Sequence, residues 1–349
     1  MQNKRHNILS TLIMLLTSGI ATVAVIYLIF RNIHLQTLIG DLRDADKKFF
    51  ILALMISAIW NIGLYALIRE KIWRYMGYVI SYQECLLIRA GSLPLQAIPS
   101  FKDTGLAMAL YLKNRLRMPL SEGILSNIVV NFFSLTGVLF LLLLGYIFYR
   151  PGYSDLVSLN QHLMIKLVPV ILFIGCVVYA FYFNQALGKR VLFYACFKKR
   201  SPLFQIFEKN INLWKGLPRR KIFGFFMLAT IYKLAEVIIF YSLARAYHLR
   251  IPAASLLLFV PLAMMISESP LNIAGIGVRE GALVFFFYNL APKETLVSVA
   301  LLILILNRVF PIMLGLFFLA PFLSRTQLSS AKIKEWLRPG STHVQSLIS

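Results

Sequence analysis

The chain has 349 residues, of which 59% are hydrophobic and only 14% charged, where soluble domains carry roughly 25% charged residues. A water-soluble globule of this composition would expose large apolar patches, so an ordinary soluble enzyme, a disordered chain and a secreted disulfide scaffold are excluded. The 36 Lys and Arg against 14 Asp and Glu leave a formal charge of +22, which in so apolar a chain reads as basic residues held on the cytoplasmic side and drawn to anionic headgroups.

In chain order, Lys4 and Arg5 precede the uncharged run Ile8–Phe30, too long for a signal-peptide core and followed by no small-residue cleavage site; it predicts a first membrane helix. Phe49–Ile68, Leu120–Tyr149, Leu167–Ala186, Ile222–Tyr247 and Thr295–Phe322 are further runs of the roughly 20 residues that a bilayer core requires. Two other apolar stretches, Ser81–Leu112 and Ile251–Leu290, are interrupted by Gly, Pro and charge.

Charge decides how the first interrupted stretch is threaded. A single crossing would place the basic residues between Gly188 and Lys221 outside, against the positive-inside bias. Entry and exit on one side removes the conflict. The arms Ser81–Ala90 and Phe101–Leu112 reach at most roughly 18 Å, well short of a core of roughly 30 Å, and Gly281–Leu290 is as short. The expectation is an all-α polytopic membrane protein of six full crossings and two re-entrant half-helix hairpins. Residues 1–349 form one membrane domain, with a first half-repeat over 8–149 and a second, inverted, over 167–322. The inverted repeat with interrupted helices is a secondary-transporter layout. The segment 188–221 and the tail 323–349 fall in the cytoplasm, as does the N-terminus. Within the former, Phe204, Phe207, Ile211 and Trp214 are spaced as on an interfacial helix, and His34–Lys48 allows the same outside.

Several ionisable residues fall at membrane depth: Glu84, Arg89, Lys102, Asp103, Lys233, Glu236, Arg245, Glu268, Arg279, Glu280 and Arg308. Each costs about 2.5–3.5 kcal/mol at a helix centre on insertion scales, so they are expected to face protein or water. Lys233 and Glu236 stand three apart and can pair on one helix face. Arg308 precedes a kinking Pro311 and suits either helix–helix bonding or bidentate binding of a phosphate. Asn127, Asn131 and Ser134 form a polar stripe suited to interhelical hydrogen bonds. Three scattered cysteines and five histidines lack ligand spacing, so no metal and no cofactor is expected. Nucleic acid is no expected partner either, since no basic folded face or recognition motif is present.

The densest signal is Ser267–Gly281, S-E-S-P-L-N-I-A-G-I-G-V-R-E-G. Without a preceding strand or the right spacing it is no nucleotide-binding loop. At a re-entrant tip, backbone N–H groups at a helix start hold an anion. Gly275 and Gly277 would permit the turn, Arg279 would add fixed positive charge, and Glu280 would serve as partner or counter-ion. The run G-I-G-V-R-E-G at Gly275–Gly281 resembles the signature of the flippase-like membrane domain of lysylphosphatidylglycerol synthetases, the multiple peptide resistance factors, and of their stand-alone relatives. The broken stretch Leu93–Gly105 and the Arg308, Pro311, Gly315 pattern extend the resemblance. Ala274 stands where relatives commonly carry another glycine, and Pro99, Lys102, Asp103 and Gly105 replace their usual Gly-acid pair followed by Arg.

The resemblance implies a bacterial cytoplasmic-membrane protein that binds or moves lipid-linked substrates. On that reading a polar, anionic headgroup is held between two tips, by Lys102 and Asp103 on one and Glu268, Gly275, Gly277, Arg279 and Glu280 on the other, with Lys233, Glu236 and Arg308 nearby. The partner is a membrane phospholipid or lipid-linked substrate, with anionic lipids at the cytoplasmic face. Aminoacyl transfer belongs to a separate soluble domain in the synthetases, and 323–349 offers no room for one, so no enzyme of that kind is expected. Two alternatives stay open: a non-catalytic accessory subunit of an envelope glycosyltransferase or lipid-modifying system, docking through Lys189–Lys221, and a membrane-embedded transferase using Glu268, Glu280 or Asp103. A homo-oligomer or an envelope-enzyme partner is compatible with either.

Overall fold

A computed structural model describes residues 45–97, 104–149, 218–267 and 277–326, with a few positions between 166 and 171. The described residues are helical and include no strand. In chain order the helices are α1 (Lys47–Tyr75), α2 (Tyr82–Ser92, continued by a 3₁₀ turn over Leu93–Ala97), α3 (Gly105–Leu116), α4 (Leu120–Phe148), α5 (Arg219–Ala246), α6 (Ala253–Ser267), α7 (Val278–Phe287) and α8 (Lys293–Thr326). Four of these, α1, α4, α5 and α8, are long and apolar enough to cross a membrane. The chain is thus a helical protein of the multi-pass membrane class. Of the other two expected crossings, Ile8–Phe30 lies outside the described residues, as does most of Leu167–Ala186.

In both interrupted stretches, short helices stand on either side of residues outside the described part, 98–103 and 268–276. In the first, α2 and α3 have 11 and 12 residues and pack against each other. In the second, α6 and α7 have 15 and 10 residues and do the same. At about 1.5 Å per residue, α2, α3 and α7 fall well short of a bilayer core.

Helix α1 runs seven residues past the expected end at Ile68, and charge does not stop it for a local reason. Arg69 is only 1% exposed; it donates to the Tyr65 hydroxyl at 2.6 Å, to Asn127 Oδ1, and to Ser126 Oγ at 3.4 Å. Trp73, one turn on, donates its indole N–H to the same Ser126 at 3.0 Å. Glu70 and Arg74 pair across one turn, the spacing at which helical side chains meet. Asn127 thus makes an interhelical bond, whereas Asn131 is exposed. Local signals fix other ends. The Asp46 carboxylate accepts from Lys48 N–H at 2.9 Å, and Ser81 Oγ accepts from Glu84 N–H, both side-chain caps for otherwise orphaned donors. Outside the spans, the Tyr78 hydroxyl donates to Glu122 at 2.7 Å, and burial followed by that bond pushes its pKa up to about 12, so the phenol remains a donor at any physiological pH.

Two long helices contain a widened π turn, Ile59–Leu64 in α1 and Ile305–Val309 in α8. Such a turn loosens the regular i→i−4 ladder, and the carbonyls there recruit side chains. Asn61 C=O accepts from Arg89 Nε at 3.1 Å, Gly63 C=O from the Tyr82 hydroxyl at 3.2 Å, and Leu306 C=O from the Ser57 hydroxyl. In hydrocarbon these partners must come from protein.

The contacts divide the chain into two compact units, each drawing on both halves of the sequence. The described part of the first comprises 45–58, 140–149, 234–267 and 277–310. Its interior is aromatic, with Phe240 stacked on Phe287 at 4.8 Å and Phe259 on Phe286 at 5.3 Å. Asp46 N–H donates to Ala246 C=O at 2.8 Å, joining the start of α1 to the end of α5. The described part of the second comprises 59–97, 104–139, 218–233 and 311–326, around Ile72, Trp73, Ile88, Met108, Tyr111 and Phe322. Here α2 lies almost in contact with α8: a Cβ at Gly315 would stand 2.5 Å from the Ala90 carbonyl oxygen, and one at Gly91 would stand 2.4 Å from Phe322 Cβ. Small residues permit the close approach on which packing in a membrane relies.

Adding a methyl to that contact is overpacking, which costs typically 1–3 kcal/mol. Gly315→Ala is therefore expected to lower the unfolding temperature in detergent. Gly224→Ala, with nothing within 4 Å of the new atom, is expected to leave it unchanged or raise it; equal behaviour of the two would show that the α2–α8 approach does not matter.

Candidate functional site

The G-I-G-V-R-E-G run straddles the start of α7, and the fold gives its described residues distinct tasks. Gly277 has φ +86°, where a Cβ-bearing residue is strained, and this reversal delivers the chain into the helix. Glu280, three residues on, folds back so that its Oε2 accepts from Gly277 N–H at 2.8 Å, the acidic arm of a capping box. Its other oxygen, Oε1, accepts from Arg279 Nε at 3.3 Å and Nη2 at 3.2 Å. Arg279 then reaches α5, where Nη1 lies 3.4 Å from Glu236 Oε2. The three side chains are only 13%, 5% and 18% exposed, in the order Arg279, Glu280, Glu236.

A guanidinium is therefore held between two carboxylates, one on its own helix and one on α5. Charge-assisted bonds in so sheltered a place are strong, and Glu280 brings negative charge to the positive end of the α7 dipole. The helix start expected to be open to an external anion already has its Gly277 N–H engaged by the protein's own carboxylate.

The remaining expected site residues are distributed as follows. Lys233 on α5 is 7% exposed, with its ammonium 5.8 Å from the Tyr232 ring centroid. Arg308 sits half-buried in the π turn of α8. Lys102, Asp103, Glu268 and Gly275 lie outside the described residues, as do the basic segment 188–217 and the tail from 327. Among the described residues, no group of His, Cys, Asp and Glu side chains has an arrangement able to hold a metal ion.

One basic cluster went unnoticed in the sequence. Arg69 was placed beyond the end of its helix, and Arg89 was only one of many charges. The available signal was the spacing of Tyr65, Arg69 and Trp73, each four residues from the next, which puts an arginine between two aromatic side chains on one helical face.

Long apolar helices, interrupted stretches and a charged, capped helix start define a multi-pass membrane protein. The chain belongs to the family of the lysylphosphatidylglycerol synthase TM region, whose family model matches residues 8–315. A search among curated proteins finds no match.

The capping geometry makes a specific prediction. Glu280→Gln keeps an oxygen for Gly277 N–H but removes the charge facing Arg279, whereas Glu280→Ala removes both. Stability is expected to fall in the order wild type, Gln, Ala, with about 1 kcal/mol between the last two for the lost cap. Unfolding in detergent measures this, and equal stability of all three would refute the assignment.

Proposed function

We propose that the chain is a lipid flippase or transporter-like protein of the bacterial cytoplasmic membrane, with six full crossings and two re-entrant hairpins entering from opposite leaflets. It binds a polar, anionic lipid headgroup at the hairpin tips and carries out no covalent chemistry. The observation that carries this reading is the Arg279 guanidinium, sheltered at the start of a helix too short to span and bridging to α5 through Glu236. A buried arginine stays charged and matches a phosphate bidentately. The carboxylates beside it allow the exchange that loading and unloading require, with the guanidinium passing between Glu236 and the headgroup phosphate. Glu280 keeps α7 capped in both states. Family membership and the positive charge of the chain support the same reading.

Reconstitution into liposomes containing fluorescent phosphatidylglycerol tests it, with an impermeant quencher reporting the outer leaflet. Wild type is expected to speed equilibration between leaflets, and Arg279→Ala to slow it at least about tenfold, the scale of one lost charge-assisted contact. The reading falls if wild type moves no labelled lipid, or if the variant matches it while folded.

A further inference from the structure

We infer that the second unit holds a separate binding site for a phosphate-bearing anion, built by Arg69, Arg89 and the Tyr65 hydroxyl. Both arginines are buried, Arg69 at 1% exposed and Arg89 at 8%. Both guanidinium carbons lie near one ring, Arg89 at 3.8 Å and Arg69 at 5.1 Å from the Tyr65 centroid. All the partners of Arg69 given above are neutral, namely Tyr65, Asn127 and Ser126. Arg89 spends its Nε on a backbone carbonyl. Neither meets a carboxylate among the described residues. The described acids of the same unit are engaged with other groups: Glu70 with Arg74, Glu84 with Arg115 and Tyr111, and Glu122 with Tyr78.

Two permanent positive charges beside one ring repel each other and are costly to withdraw from water. Attraction to the ring face offsets part of that cost, and an anion removes the rest. The donors such a ligand needs are present. Arg69 Nε is buried without a hydrogen-bond partner. The terminal amino groups of Arg89 donate to no acceptor among the described residues. The Tyr65 oxygen accepts from Arg69, which leaves its own proton to give. Around this set Ser126 is saturated, accepting from Arg69 and Trp73 and donating to Gly123 C=O at 2.7 Å, so it fixes the cluster without competing for the ligand. Forked guanidiniums with a hydroxyl match the geometry of phosphate oxygens. A lipid headgroup and free phosphate share that chemistry. The inference does not depend on the proposed role of Arg279.

The test uses the full chain in neutral detergent in an Arg279→Ala background, which silences the other proposed contact. Phosphatidylglycerol in mixed micelles is titrated in one arm and inorganic phosphate in the other, with binding read from the rise in unfolding temperature. Adding Arg89→Gln is expected to weaken half-saturation at least about tenfold, and Arg89→Lys, which keeps the charge, by less. An Arg89-dependent response to phosphatidylglycerol alone identifies a lipid site, and one to phosphate as well identifies a site open to soluble anions. Arg69→Gln serves as a second variant where it elutes as a single folded species. Unchanged half-saturation in Arg89→Gln, or no stabilisation by either probe, overturns the inference. Transport lost in Arg279→Ala alone would leave the proposed function standing without it.

Discussion

A carbonyl or a guanidinium surrounded by hydrocarbon has to find its partner inside the protein, since no water is there to supply one. That constraint organises what is otherwise a set of apolar helices. It accounts for the side chains that reach into the π turns, where Arg89, Tyr82 and Ser57 each meet a backbone carbonyl. It accounts for Glu280 turning back onto Gly277 N–H at the start of α7, and for Arg279 lying between two carboxylates. In water each of these contacts would be worth little. In a membrane they determine where a helix can widen, break or begin.

The same constraint separates what the sequence made legible from what it did not. Apolar runs of spanning length are written in composition, and Leu120–Phe148 and Arg219–Ala246 fall within a few residues of their expected bounds. The short helices on either side of the Gly-, Pro- and charge-bearing segments are legible in the same way. The expected span stops at Ile68, before the charges at Arg69 and Glu70, whereas α1 continues to Tyr75. Two partners of Arg69, Asn127 and Ser126, are more than fifty residues away in the chain. A tertiary bond of that kind leaves no local trace. The π turns are hidden for a related reason: what stabilises Asn61 C=O is Arg89, on a different helix.

At the candidate site the residue types and the Arg279–Glu280 partnership were legible, and the contact of Arg279 to Glu236 was not. Gly277, Arg279 and Glu280 stand together in sequence, and the spacing of a glycine and a glutamate three residues later already suits a capped helix start. The third member, Glu236, stands three residues from Lys233 on α5, and the fold brings Arg279 to it from another helix, through the approach of α7 to α5. The motif therefore encodes a helix start whose arginine has a second partner within reach. In the function proposed above, that second partner is what a headgroup phosphate replaces, while Glu280 keeps the helix capped.

The account rests on both interrupted stretches entering the membrane and returning to the side they came from. Side-specific labelling of single cysteines in intact cells tests this most directly, at exposed positions flanking each stretch. Val79→Cys and Arg115→Cys are predicted to react from the cytoplasmic face, and Arg250→Cys and Lys293→Cys from the opposite face. If the two members of either pair reacted from different faces, that stretch would be a full crossing. Its charges would then line no re-entrant tip, and the site proposed there would be lost.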